Sequence, residues 1–154
     1  MKLTYTPVYF LLILFQYCSN RPDMESDKKA LLALHQQQRK AHLDKNVSLL
    51  LGDSTLTDYI EVNRGLIKRP SYSESAKRFQ AYFDEVEFIQ WDDVTPPVFS
   101  FSDDGTMATA VVDKIVITRP LRDNRPDTAY YAWLAVYKKI KGKWVLHRMG
   151  STNK

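Results

Sequence analysis

Two stretches near the C-terminal end of the chain, TMATAVVDKIVIT at residues 106–118 and TAYYAWLAVYKKI at residues 128–140, decide the fold. Each alternates with the period of two that is typical of a β-strand, but both alternating faces are apolar. A strand in a sheet with one solvated face would carry polar residues on that face. We therefore expect helices to cover one face of these strands, and another sheet, a subunit or a ligand to cover the other.

Further strands are predicted on either side of this pair. The runs VEFIQW, VFSFS and KWVLHRMGST have the same period, and the separators TPP, DDG, RPLRDNRPD and KGK have the composition of turns and loops. Earlier in the chain, LTDYIEV, the turn NRG and LIK predict a short hairpin at residues 56–68, with Gly65 at a positive φ angle.

Two helices are predicted before the long strands. Apolar residues recur at a spacing of three to four over residues 27–51, and Gly52 is a natural end for that helix. A second helix is predicted in SYSESAKRFQAYFDEV, with Ser73 as its N-cap. Helices followed by a long antiparallel sheet indicate the α+β class.

Composition fits one compact domain with a packed core. The chain has 154 residues, is 44% hydrophobic and carries a formal net charge of +4. Acidic residues dominate residues 79–113, whereas basic residues dominate residues 114–154. This asymmetry predicts either two differently charged solvated faces or a surface that orients a partner. The small net charge and the cluster of lysines confined to one hairpin do not favour binding to nucleic acid.

The chain resembles the nuclear transport factor 2-like superfamily, especially its polyketide-cyclase-like and ketosteroid-isomerase-like branch. The resemblance lies in RKAHLDKNVSLLLGDSTLTDYIEVNRGLI, SAKRFQAYFDEVEFIQWDD, SDDGTMATA and YAWLAVYKKIKGKWVLHRMGSTN, and it covers about residues 27–153. It implies a strongly curved antiparallel sheet wrapped around helices, with a conical pocket between them. It also implies a homodimer that packs through the exposed face of the sheet. These stretches specify fold rather than chemistry.

The N-terminal residues resemble the export signal of a bacterial lipoprotein. Lys2 is followed by the apolar run VYFLLILF at residues 8–15, which is too short for a typical membrane-spanning helix. We expect a signal peptide at residues 1–17, a lipid attached to Cys18, and a polar tether at residues 18–26 before the domain at residues 27–154. Phe15, Gln16 and Tyr17 replace the small residues usual before such a cysteine, so simple secretion and a retained anchor or buried first strand stay open. A single cysteine excludes an intramolecular disulfide.

Asp113 and Glu61 are the candidate acid–base residues. Asp113 interrupts the apolar run ATAVVDKIVI, and a buried carboxylate there would be paired, hydrogen-bonded or protonated. The alternative is an ordinary salt bridge from Asp113 to Arg148 or Lys114, or partial exposure. Ketosteroid isomerisation needs an Asp base facing a Tyr and a protonated Asp. That trio does not map onto this chain, which weakens the hypothesis of an enzyme.

Four residues are candidates for ligand binding: His42, Arg64, Trp133 and Arg148. His42 lies beside the apolar stripe of the first helix, where the resemblance places residues that line the pocket. Each candidate also has an ordinary structural interpretation. His42 can be a hydrogen-bonded core histidine, Arg64 a solvated turn residue, Trp133 a core or interface aromatic, and Arg148 a salt-bridge partner of Asp113. The acidic pair Asp92 and Asp93 ends a strand and is interpreted as solvated.

No metal or cofactor is expected. His35 and His42 are seven residues apart, so they lie about 10.5 Å apart along a helix axis and cannot chelate one metal ion as a local pair. The sequence contains no phosphate-binding Gly-rich loop and no Cys/His constellation.

The sequence therefore predicts an exported, lipid-anchored domain of the cell envelope, or a periplasmic or secreted one, that binds a small apolar or amphipathic molecule without chemistry. One alternative is an enzyme of the isomerase, cyclase or epoxide-hydrolase type that uses a carboxylate in the pocket. Another is a dimeric interaction module of the envelope.

Overall fold

The computed structural model describes residues 23–52 and 58–154. The predicted signal peptide, Cys18 and the first part of the tether lie outside the described residues. The helices are α1 (Met24–Leu43), α2 (Val47–Leu51) and α3 (Tyr72–Glu85). The strands are β1 (Ile60–Asn63), β2 (Leu66–Lys68), β3 (Val86–Asp93), β4 (Val98–Phe101), β5 (Met107–Pro120), β6 (Asp127–Ile140) and β7 (Lys143–Asn153).

The single first helix of the prediction is two helices. α1 ends at Leu43, Lys45 adopts a positive φ of 53°, and the Asn46 side chain accepts a hydrogen bond from the Leu49 amide to start α2. Asn competes with the helical backbone in this way and so favours caps over helix interiors. The predicted end of the helical region at Gly52 is confirmed, since Gly52 caps α2.

The α3 helix starts with a capping box, two residues earlier than predicted. Ser71, rather than Ser73, is the N-cap; its hydroxyl accepts from the Glu74 amide, and the Glu74 carboxylate accepts from the Ser71 amide. The reciprocal pair satisfies two amides that a helix start otherwise leaves open.

The strands form a seven-stranded mixed sheet with the order β2-β1-β7-β6-β5-β3, and β4 pairs with β5 beside β3. The α+β class is confirmed, and the sheet is mostly antiparallel as expected; the exception is β1, which pairs with β7 in parallel. The predicted β1–β2 hairpin is present, and Gly65 in its turn has the expected positive φ, 74°. No helix in the described part of the chain is long and apolar enough to cross a membrane.

The long strands β5 and β6 present one face to the helices. The inward side chains of β5 form a core with Leu31 of α1, and this cluster comprises Leu31, Ala108, Ala110, Val112, Ala135, Tyr137 and Trp144. A second cluster surrounds Phe83 of α3 and comprises Phe83, Val86, Phe88, Trp91 and Val116. The prediction that helices cover one face is confirmed, whereas the opposite face, here called the outer face, carries exposed apolar side chains.

Candidate functional site

A partly buried cluster of three ionisable side chains, Lys114, Asp93 and His35, lies between α1 and the helix-facing side of the sheet. Lys114 and Asp93 are cross-strand partners on β5 and β3, and the Lys114 ammonium forms a salt bridge with Asp93. From α1, the Nε2 atom of His35 lies 2.8 and 2.9 Å from the two carboxylate oxygens of Asp93. Two donors therefore converge on one carboxylate.

Aromatic rings surround the charge of this cluster. Lys114 Nζ lies 4.1 Å from the centre of the Trp91 ring and 6.0 Å from that of Trp133. The Lys114 side chain is fully buried, whereas that of Asp93 is 28% exposed. An ammonium over an indole face is attracted by the ring quadrupole, most strongly where water is excluded. Water therefore reaches the Asp93 carboxylate of this cluster but not the Lys114 ammonium group.

Burial shapes the protonation of both nitrogen groups. Desolvation lowers the pKa of Lys114, and the salt bridge to Asp93 opposes that effect. Desolvation also lowers the pKa of His35, and the nearby Lys114 charge lowers it further. The lowered pKa of His35 favours its neutral form, in which Nε2 can donate its proton to the Asp93 carboxylate.

The candidate His42 lies about two turns further along α1, inside the aromatic core. Its ring stacks on Trp91 with 4.2 Å between the ring centres, and Phe83 and Phe88 meet it edge-on. Its Nδ1 atom donates to the Gln38 carbonyl at 2.7 Å, and burial lowers the pKa of His42 to about 4. The imidazole is therefore neutral, and its surroundings are those of a structural histidine. A role for His42 in ligand binding stays a prediction, and no contact among the described residues supports it.

Beside the charged cluster, the helix-facing side of β6 and β7 is incompletely covered. The residues on this surface, here called the helix-side strip, are only half-buried: Tyr131, Trp133, Met149 and Ser151. Tyr131 and Trp133 also pack against the core around Phe83. The strip continues through Asn63 of β1 to Leu66 of β2, the partners of Ser151 and Asn63 in the ladder, and both are exposed. The candidate Trp133 thus forms part of a surface that opens toward the edge of the sheet.

The candidate Glu61 borders the helix-side strip and is held by a cation. Glu61 is the ladder partner of Met149, and its carboxylate accepts two hydrogen bonds from the Arg78 guanidinium of α3. The Nη2–Oε2 distance is 2.8 Å, and only 13% of the Glu61 side chain is exposed. A bidentate pair of this kind fixes the geometry of both partners, so Glu61 ties α3 to β1 and its carboxylate is already engaged by a cation.

The candidate Asp113 lies on the other side of the sheet. Its neighbours in β5, Val112 and Lys114, face the helices, so Asp113 faces outward and does not meet the cluster around His35. Its carboxylate accepts hydrogen bonds from the Thr95 amide and hydroxyl, both at 2.9 Å, and these bonds lower the pKa of Asp113. Of the alternatives for Asp113, the partial exposure is present and the salt bridge to Arg148 or Lys114 is not; the carboxylate fixes the loop between β3 and β4.

The two candidate arginines also lie away from the strip. Arg64 occupies the β1–β2 turn with a φ of 50° and is exposed. Arg148 donates to the backbone carbonyl of Asp58 and pairs with its carboxylate at 3.3 Å, which fixes the chain just before β1. Ligand roles for these arginines remain predictions.

Sequence reasoning missed the cluster of Lys114, Asp93 and His35, although one signal for it was present. Lys114 has the same phase as Ala108, Ala110, Val112 and Val116, which places it on the buried face of β5. Asp93, interpreted as solvated, is exposed at the end of β3 and also forms a salt bridge with Lys114. Among the described residues, no group of three or more His, Cys, Asp or Glu side chains is arranged to hold a metal ion.

No family model matches the sequence, and no curated protein matches it. Solved structures do match. A nuclear transport factor 2 (NTF2-like) superfamily protein from Salmonella enterica aligns with a TM-score of 0.71 and 12% identity, over 84% of this chain and 92% of that chain. Hexachlorocyclohexane dehydrochlorinase LinA-type3 from Novosphingobium barchaimii gives 0.69 and 10%, over 86% and 89%. A ketosteroid isomerase-like protein from Erwinia carotovora gives 0.60 and 14%, over 81% and 94%. At these identities the likeness establishes a shared fold.

Proposed function

We propose that this chain, a domain with the nuclear transport factor 2-like fold, binds a small apolar or amphipathic molecule on the helix-side strip without catalysing a reaction. One observation carries the proposal: Tyr131 and Trp133 are only half-buried on the helix-facing side, whereas Ala135 and Tyr137, further along the same face of β6, are closed off by the core. Aromatic walls beside a few fixed polar groups are typical of small-molecule sites.

The pairing of the acidic side chains favours binding over catalysis. A general base needs a free carboxylate or imidazole within reach of its substrate. Glu61 is held by Arg78, Asp93 by Lys114 and His35, and Asp113 by Thr95 on the opposite face. The same fold is found in a dehydrochlorinase and in an isomerase-like protein. The enzyme alternative would therefore depend on His35, the neutral imidazole next to Asp93.

A pair of adjacent tyrosines gives a matched test of the proposed site. Tyr131 lies on the helix-side strip and Tyr130 on the outer face, where it is 49% exposed. We expect the uncharged fluorophore N-phenyl-1-naphthylamine to bind the wild-type chain, and Tyr131→Ala to weaken binding about tenfold, as loss of a stacking wall does. Tyr130→Ala should leave the affinity unchanged.

Two results would overturn this function. Equal effects of both tyrosine substitutions would show that the fluorophore binds elsewhere. Absence of binding to wild type, with folding verified by circular dichroism, would remove the case for an apolar site.

A second candidate function, assembly with another copy of the chain, is favoured by the outer face. Cross-strand partners on six strands form one row on the outer face. Five members of the row are exposed apolar side chains, in the order Ile67, Val62, Leu134, Val111 and Val98. Gly150 of β7 lies between Val62 and Leu134. A Cβ atom added at Gly150 would meet nothing within 4 Å, which leaves a notch in the row. Contiguous apolar surface of this kind is typical of interaction sites. We propose that two copies pack through this row as a homodimer.

Export with lipid attachment at Cys18 is proposed from the sequence alone. The support is the short apolar run at residues 8–15, which Gln16 and Tyr17 separate from the cysteine. In a bacterial host, Cys18→Ser should release the chain from the membrane fraction, and intact mass spectrometry of the wild type should show a diacylglycerol adduct. Unchanged membrane retention of Cys18→Ser, or a wild type without added mass, would overturn lipid attachment.

A further inference from the structure

We propose that the molecule bound on the helix-side strip is an anionic amphiphile, whose carboxylate, sulfate or phosphate lies in a cationic depression at the edge of the sheet. This inference rests on the proposed function and adds the chemical class of the ligand. The depression has a volume of about 400 Å³ and is lined by Lys68, Arg69, Pro70, Glu74 and Arg78. It is open to solvent, as the entry site for a charged group must be.

The two carboxylates at this depression already have hydrogen-bonding partners within the protein. The Glu74 carboxylate accepts from the amide and the hydroxyl of Ser71, both at 2.7 Å, and these bonds lower the pKa of Glu74. The Glu61 carboxylate next to it is neutralised by Arg78. Glu74 keeps its negative charge beside Ser71, whereas the charge of Glu61 is balanced by Arg78, so Lys68 and Arg69 together outnumber the one carboxylate at the depression that has no cationic partner.

Two of the three cations at the depression, Lys68 and Arg69, have no ion-pair partner among the described residues. Both side chains are exposed. The nearest acidic groups are engaged by Arg78, Ser71 and Arg148. The result is a local excess of positive charge that a ligand anion can neutralise.

The register of the sheet joins the depression to the helix-side strip. Lys68 is the ladder partner of Glu61, and Glu61 is the partner of Met149 in the strip. These three residues share the helix-facing side, so Lys68 stands two strand spacings, about 10 Å, from Met149. An amphiphile with its apolar body against Tyr131, Trp133 and Met149 can therefore place an anionic head beside Lys68 and Arg69.

The buried cation does not supply this recognition. Lys114 is closer to Trp133, but its charge is neutralised by Asp93 and its side chain has no exposed surface. An anion beside Lys114 would compete with Asp93 and lose its own hydration, which is costly in a buried site. The two exposed cations, Lys68 and Arg69, are therefore the groups that select for an anionic ligand.

Two fluorophores with the same aromatic body separate this inference from the proposed function. 1-Anilinonaphthalene-8-sulfonate is N-phenyl-1-naphthylamine with one added sulfonate. We expect the wild type to bind the sulfonate at least fivefold more tightly than the uncharged probe at low salt, and the preference to shrink as salt rises. In Lys68→Gln/Arg69→Gln the affinity for the sulfonate should fall about five- to tenfold, while that for the uncharged probe stays unchanged.

The β6–β7 turn supplies a control with the same loss of charge. Lys141→Gln/Lys143→Gln removes two exposed lysines there and should leave both affinities unchanged. If both probes bind equally and neither double variant changes this, the anionic class is wrong while the proposed function stands. If neither probe binds, the proposed function fails first. If Lys68→Gln/Arg69→Gln abolishes cosedimentation with phosphatidylglycerol vesicles but leaves the sulfonate affinity intact, the cations serve a membrane surface, which also overturns the inference.

Discussion

The ammonium group of Lys114 lies 4.1 Å from the centre of the Trp91 ring, inside the protein and without exposed surface. Such a charge is tolerated only when it is paired. Asp93 is the partner that Lys114 has in the described part of the chain, and His35 from α1 contacts the same carboxylate. A single carboxylate therefore joins β3, β5 and α1 next to the proposed binding surface.

The two halves of the Lys114–Asp93 pair should contribute unequally to stability. In Asp93→Asn the buried ammonium loses its counterion, which we expect to lower the free energy of unfolding by about 3 kcal/mol. In Lys114→Met the remaining carboxylate, 28% exposed, is reached by water and keeps its contact with His35, so the loss should be about 1 kcal/mol. Urea denaturation at pH 7 measures both values. A larger loss for Lys114→Met would contradict the burial of the cation.

His42 should make the protein sensitive to acid. Burial lowers its pKa from 6.5 to about 4 in the folded state, so the unfolded chain binds the proton more readily between these values. Its contribution is therefore present above pH 6.5 and is lost as the pH falls toward 4, by up to about 3 kcal/mol. His35, whose pKa burial also lowers, acts in the same direction.

Two measurements test this account of His42. The imidazole resonance of His42 in NMR spectra should titrate with a midpoint near 4, and His42→Phe should flatten the fall in urea-denaturation midpoint between pH 7 and 4.5. His42→Phe retains an aromatic ring against Trp91, so its stability at pH 7 provides the baseline. A midpoint near 6.5 would show that His42 is solvated.

The sequence predicted the elements that local patterns control. Apolar residues on both faces of residues 106–118 and 128–140 predicted strands with one face under helices, and the structure has β5 and β6 there. The NRG turn likewise predicted the hairpin, because only its positive φ angles close it. These features depend on neighbours within a few residues.

The candidate site depends on pairings that no local pattern contains. Asp93 meets Lys114 only because β3 and β5 pair in one register, which shifts at an irregularity between Phe88 and Gln90. His35 reaches them across 58 and 79 residues of sequence. Asp113 and Lys114 are adjacent in the chain, yet they face opposite sides of the sheet. Which of the two faces the helices depends on which alternate residues of β5 are buried. The apolar residues Ala108, Ala110 and Val112 already indicated that Lys114, and not Asp113, lies on the buried face.

Asp113 should be dispensable for ligand binding. Asp113→Asn removes the carboxylate that holds the Thr95 amide and hydroxyl on the outer face. We expect local loosening of the loop between β3 and β4, a small change in the urea midpoint, and unchanged affinity for N-phenyl-1-naphthylamine. Hydrogen exchange of the Thr95 amide reports the loop directly. Loss of probe binding with an intact fold would instead return Asp113 to the site.

The row of exposed apolar side chains on the outer face should hold two copies together. Leu134 lies in this row with 49% exposure, between Val111 and the notch at Gly150. Introducing a charge with Leu134→Glu should dissociate the dimer, because two desolvated carboxylates would be buried at a self-complementary interface without partners. Leu32→Glu is the matched control, since Leu32 is a similarly exposed leucine, at 39%, on α1. Sedimentation equilibrium at micromolar concentration should give a dimer for the wild type and Leu32→Glu, and a monomer for Leu134→Glu. A monomeric wild type would refute assembly through this face, and a dimeric Leu134→Glu would place the interface elsewhere.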